Sequence, residues 1–156
     1  MATPHRVAFV LPDLGGGGAQ KVMLTLAAHL DPGRFAPYLL VIGGAETLPL
    51  PEGLPAERGG AARLVTGLPW LVRRIRHLRP AIAVSTLAYT HMAVLAAAPL
   101  LPRSTRIVVR EANMPAATLA ARPGWLRCLK PYRRLYPRAT RIDAQTQAVA
   151  DALVEA

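Results

Sequence analysis

The chain has 156 residues, and at roughly 100–200 residues per domain that length holds one domain. Hydrophobic residues make up 52% and charged residues 18%, with a mean hydropathy of +0.25, which excludes disorder as a global description. Nineteen Lys and Arg, all Arg except Lys21 and Lys130, face nine Asp and Glu, and the resulting +10 predicts an anionic partner: nucleic acid, a phosphorylated ligand or an acidic membrane surface.

Arg6–Leu11 is a short apolar run ending in Pro12 and a glycine cluster, the profile of a buried parallel strand. Ala19–Leu30 follows with apolar residues at helical spacing, stopped by Asp31, Pro32 and Gly33. Tyr38–Ile42 suits a second strand, and Ala45 to Gly60, rich in Pro and Gly, is expected to be a surface loop. A short third strand is placed at Arg63–Thr66. Leu68–Leu78 fits an amphipathic helix with a basic outer face, ending before Pro80. Ala81–Ser85 is the fourth strand, Thr90–Ala98 a helix and Arg106–Val109 the fifth strand. Gly124–Tyr136 is basic, aromatic and helical in pattern but interrupted by Pro131. Arg141–Ala144 is a sixth strand and Gln147–Ala156 a helix that Thr146 can cap. The final helix meets no glycine, proline or polar tail, so a chain cut after Ala156 is the expectation.

Strands alternating with helices imply an open parallel α/β sheet covered on both faces. Ligands of such sheets bind at the carboxyl ends of the strands. That rule selects three loops: Pro12–Gly18, Thr86–His91 and Arg110–Pro115.

The first loop carries four consecutive glycines, Gly15 to Gly18, between a strand and a helix, where bare N–H groups and the helix dipole favour a phosphate. A dinucleotide fingerprint starting at Gly15 would need Gly or Ala in place of Gln20, and a P-loop would need Ser or Thr in place of Val22. The bland alternative is a tight turn and nothing more. Arg110, Glu111 and Asn113 form a polar cluster after the fifth strand, able to bind sugar hydroxyls or phosphate, or else to form an internal ion pair and an asparagine turn. Thr86 and His91 border the loop after the fourth strand, and a lone histidine there is more often packed than liganding.

Cys128 stands alone, and His5, His29, His77 and His91 lack zinc spacing, so no metal is expected. The longest apolar stretch, Met92 to Leu101, is about ten residues, short of the roughly 20 that span a bilayer. The N-terminal apolar run is too short for a secretory signal. A cytoplasmic location is the expectation, peripheral on the inner face of the plasma membrane if two basic segments dock there. These are the helix with Trp70, Arg73, Arg74, Arg76 and Arg79, and Trp125–Arg134. Nucleic acid is set aside, because no helix-turn-helix, RNP or zinc-finger pattern appears and aromatic content is 5%.

Taken in order, VAFVLPDLGGGGAQKVMLTLAAHL, IAVSTLAYTHMAVLAA, IVVREANMP and LYPRATRIDAQTQAVADAL resemble the N-terminal half of a family 4 glycosyltransferase of the GT-B fold. The resemblance covers nearly the whole chain. It implies a single Rossmann-like domain over residues 1–156, the acceptor-side half of an enzyme whose second, nucleotide-sugar-binding domain would follow. It implies no cofactor, a nucleotide-sugar co-substrate, a glycan or lipid-linked acceptor, and net retention in a full-length parent, in cell-envelope or polysaccharide biosynthesis. Gly17 and Gly18 match the family's glycine pair, whose backbone approaches the donor diphosphate and sugar. Arg110–Asn113 matches a loop where many members carry a histidine. Glu111 and Ala112 stand there instead, so no catalytic residue is assigned. The chain alone is expected to be inactive, and a non-catalytic module for phosphorylated or lipid-linked glycan at an anionic membrane is the alternative.

Overall fold

Strand β1 (His5–Leu11) exposes its first two residues and buries the next five in succession, as an interior strand of a parallel sheet must. In the computed structural model, which describes residues 3–113 and 130–155, β1 stands at the centre of six strands. The others are β2 (Phe35–Gly43), β3 (Ala56–Ala61), β4 (Ile82–Thr86), β5 (Arg106–Glu111) and β6 (Arg141–Ala144). Their order is β3-β2-β1-β4-β5-β6, and every pairing is parallel. This is the expected α/β arrangement, a Rossmann-like sheet. The chain winds outward from β1 in one direction through β3 and then returns to β4 on the other side. The crevice between β1 and β4 is therefore the topological switch point, where such sheets bind ligands.

Successive β residues point to opposite faces, and two cores follow. Val7, Phe9, Leu11, Leu39 and Val41 pack with Met23, Leu24 and Ala27 of helix α1 (Gly18–Ala28). Ala8, Val10, Leu40 and Ile42 pack with Leu71 and Ile75 of α2 (Leu64–Leu78) and Val94 and Leu95 of α3 (Ala88–Ala97). Both faces are thus covered. A one-turn 3-10 helix η1 (Ala98–Leu100) follows α3. Beyond it come α4 (Lys130–Leu135), a second 3-10 turn η2 (Tyr136–Arg138) and α5 (Gln147–Glu155).

The third strand is not where the sequence pattern put it. Arg63 is the N-cap of α2 and Leu64–Thr66 its first turn, while the strand is AERGGA within the expected loop. That segment has little intrinsic strand propensity. It is held by close approach: a Cβ at Gly59 would stand 2.8 Å from the Ile42 carbonyl oxygen and 2.7 Å from the Trp70 ring. Glu57 adds a side-chain anchor, accepting hydrogen bonds from Tyr38 on β2 and Arg74 on α2. β2 begins earlier than expected and contains Pro37. Leu39 donates its N–H to Pro55 on the β3 side, so Pro37, two residues before, directs its missing donor to a stretch where β3 has not begun. The Gly124–Tyr136 expectation lies mostly outside the described residues, as does Trp125; its last turns are α4 and η2.

Candidate functional site

The glycine turn is built from its base upward. Leu14, fully buried, exchanges backbone hydrogen bonds with the segment leaving β2: its N–H donates to Ala45, and Thr47 and Leu48 donate to its carbonyl. Thr47 adds its hydroxyl to the same carbonyl at 3.1 Å. Asp13 folds back so that its Oδ1 accepts from the Gly15 N–H at 2.9 Å and from Gln20 Nε2 at 3.0 Å. Gly16 takes φ +93°, a conformation that only glycine adopts without strain. The turn is thus rigidly anchored, but its far end is open. Gly17 is the N-cap of α1, and no side chain caps the helix. A Cβ at Gly18 would have nothing within 4 Å. Uncapped N–H groups at the positive end of a helix dipole, beside open space, favour an anion.

Across the switch point stands Tyr89, in the first turn of α3 and 39% exposed. Burial, and after it the Asp13 carboxylate, push its phenol above the ordinary value. Tyr89 and Asp13 therefore face the same crevice, and sequence reasoning missed both. Leu87, the residue before α3, has φ +70°, an uncommon conformation for a side chain of that size. It marks where the chain is forced sharply from β4 into α3.

The ends of β4 and β5 hold a second cluster, and it is closed. Ser85, Thr86, His91 and Glu111 are each 0% exposed. His91 Nε2 lies 3.1 Å from the Arg110 carbonyl oxygen, which can only accept, so Nε2 carries the proton. Nδ1 is then left to accept from the Ser85 hydroxyl at 2.9 Å. Burial lowers the His91 pKa to about 3, against the smaller opposing effect of the Arg110 carbonyl. Tyr136 donates its hydroxyl to Glu111 Oε2, which also lies 3.9 Å from His91 Nε2. Burial raises the Glu111 pKa, opposed by Tyr136 and by the Asn113 backbone N–H. Serine, histidine and carboxylate in succession suggest a nucleophilic triad, but with all three sealed from solvent this one ties β4, β5, α3 and η2 together.

Two expectations change accordingly. Arg110 and Glu111 belong to β5 itself and not to the loop beyond it, and they do not pair with each other. Adjacent strand residues point to opposite faces, so Glu111 enters the core while Arg110 meets its register partner Asp143 on β6, Nε to Oδ2 3.7 Å. His91 is packed, as a lone histidine there usually is. Three buried polar atoms at this edge lack partners among the described residues: Arg110 Nη1, the Thr90 hydroxyl and Glu111 Oε1. Asn113 is exposed, and Thr86 donates weakly to the Arg110 carbonyl at 3.4 Å.

The basic helix face divides. Arg73 and Arg76 are exposed, whereas Arg74 lies on the opposite flank, held by Glu57 and Tyr38. Trp70 packs on Gly59 and into the core. No described helix is long and apolar enough to cross a membrane, and the described residues include no cluster of three or more metal-ligating side chains. No protein-family model matches the chain, and no curated protein sequence matches it.

Proposed function

We propose that this chain is the acceptor-side domain of a glycosyltransferase of the GT-B arrangement, in which the glycine turn after β1 meets the diphosphate of a nucleotide-sugar. The observation that carries this reading is the four-glycine turn at the switch point, uncapped at α1 and open at Gly18. When a sugar leaves its nucleotide, the bond from the anomeric carbon to the phosphate oxygen breaks and negative charge grows on the diphosphate. Fixed N–H donors at a helix N-terminus stabilise charge developing there without reorganising. The orphaned Arg110 Nη1 supplies a further donor at the same sheet edge. The acceptor, a glycan or lipid-linked precursor, would lie along the ends of β4 and β5. A second domain holds the nucleotide, and retention of configuration belongs to that complete enzyme.

Isotope-labelled chain titrated with uridine diphosphate and with pyrophosphate tests the reading. Amide signals from Gly15 to Gln20 should move with either probe and stay still in Gly18→Val. Movement confined to other residues would count against it. Assayed alone with several nucleotide-sugars, the chain should show no turnover.

A second reading, a non-catalytic module for phosphorylated or lipid-linked glycan, is favoured by the complete burial of His91 and Glu111, which keeps both groups from touching a ligand in the crevice. Joined to a second domain, the transferase loses activity in Gly17→Val or Gly18→Val, whereas such a module shows no transfer to lose.

A further inference from the structure

Helix α2 carries two apolar stripes, one turned to the core and one shared between core and solvent, in which Leu68 and Val72 are partly buried against the core and Val65 is exposed. Leu64, Leu71, Ile75 and Leu78 face the sheet with Gly67. About a quarter-turn round the helix, Val65, Leu68 and Val72 form a second stripe that meets Leu100 of η1 around an open groove of about 550 Å³. Val65 is 79% exposed and Leu100 57%. Arg73 and Arg76 rim this groove, and Arg76 and Arg79 line an adjoining depression of about 320 Å³ beside Leu100 and Ser104. No hydrogen bond or ion pair to a described residue engages these three guanidinium groups, unlike Arg74 on the other flank.

We propose that this α2–η1 face docks on an anionic lipid surface, with Val65 and Leu100 entering the apolar layer and Arg73, Arg76 and Arg79 meeting headgroup phosphates. The inference rests on a surface separate from the glycine turn and does not depend on the function proposed above. Charge complementarity selects the occupant: an aliphatic patch bordered by unpaired guanidinium groups is the pattern of an interfacial helix. A second copy would bring the same three cations against themselves. The patch holds no aromatic anchor and no polar group besides the cations and Ser104, so it offers little of what fixes a protein partner in register. The corrected set also differs from the sequence expectation, since Arg74 and Trp70 take no part.

The test is sedimentation of the chain with vesicles of phosphatidylcholine alone and with about one-third phosphatidylglycerol, at about 0.1 M and about 0.5 M salt. Binding should be at least about tenfold stronger on the anionic vesicles at low salt and fall at high salt. Arg76→Glu and Val65→Asp should each lower the partition about fivefold or more. Arg141→Glu, the same charge change on exposed β6, should lower it less than about twofold. Leu100→Ser serves as a second apolar variant, with circular dichroism confirming that each variant folds. Equal losses in Arg76→Glu and Arg141→Glu would reduce the effect to net charge and overturn the proposal. So would equal binding to neutral vesicles, or a dimer by light scattering that Val65→Asp dissolves while vesicle binding stays unchanged.

Discussion

His91 and Glu111 are neighbours with opposite linkage to pH. The folded His91 pKa of about 3 lies below the ordinary 6.5, so between those values the unfolded chain binds more protons than the folded one. Its contribution to stability is whole above about pH 6.5, declines as pH falls and is gone below about 3. Glu111 is raised above its ordinary 4.5, so its contribution is whole below 4.5 and is lost as pH rises through the folded value. Glu111→Gln keeps an acceptor for the Tyr136 hydroxyl and cannot ionise. It should therefore melt at or above the parent at about pH 8, and lose that advantage by about pH 4.5. Thermal melts at both values decide it, and a variant weaker at the higher pH than at the lower contradicts the burial argument. Tyr136→Phe leaves a buried carboxylate oxygen without its donor and should cost about 1–3 kcal/mol by denaturant titration. Gly18→Val is a contrasting change, since the Cβ meets open space: stability should shift by less than about 1 kcal/mol, so that any loss of diphosphate response reports on ligand contact alone.

At the scale of elements, Thr146 shows how much a local signal can settle. Its hydroxyl accepts from the Val149 N–H at 3.3 Å at the start of α5, as a Ser/Thr N-cap does, and Thr146→Ala should cost about 1 kcal/mol in a chemical melt. That cap was legible, as were β1, β4 and the glycine turn, because each depends on a continuous apolar run or on punctuation within a few residues. β3 was not legible. Its Gly59 is required by Trp70 and Ile42, and its Glu57 by Tyr38 and Arg74, partners that lie on other elements and leave no period in AERGGA itself. The extra first turn of α2 escaped notice for a related reason: Pro69 lies inside the helix and reads as a start signal, yet its missing N–H forfeits only the bond to Val65 on an exposed surface. Glu111 looked like a loop ligand because its partner Tyr136 stands 25 residues further on. Polar residues at a strand end are ambiguous until the element that covers them is known.

For the whole molecule the governing quantity is the net charge of +10. Among the described residues Arg58 pairs with Glu46, Arg74 with Glu57 and Arg110 with Asp143, while Arg73, Arg76 and Arg79 meet no described carboxylate, and nine acidic residues cannot offset nineteen basic ones. The first pair is exposed and worth little. The remaining charge repels itself in the compact state more than in an expanded chain, and salt screens that repulsion over about 10 Å at 0.1 M. Raising sodium chloride from about 0.05 M to about 0.5 M should therefore raise the melting temperature. The Arg73→Gln/Arg76→Gln double variant should start higher at low salt and gain less from added salt, because its cations touch no carboxylate whose loss would offset the relief. The same salt weakens attachment to an anionic surface, so stability and docking should move in opposite directions along one titration. A melting temperature that falls with salt would mean that favourable ion pairs outweigh repulsion across the fold, and that the three contacts above are worth more than their exposure implies.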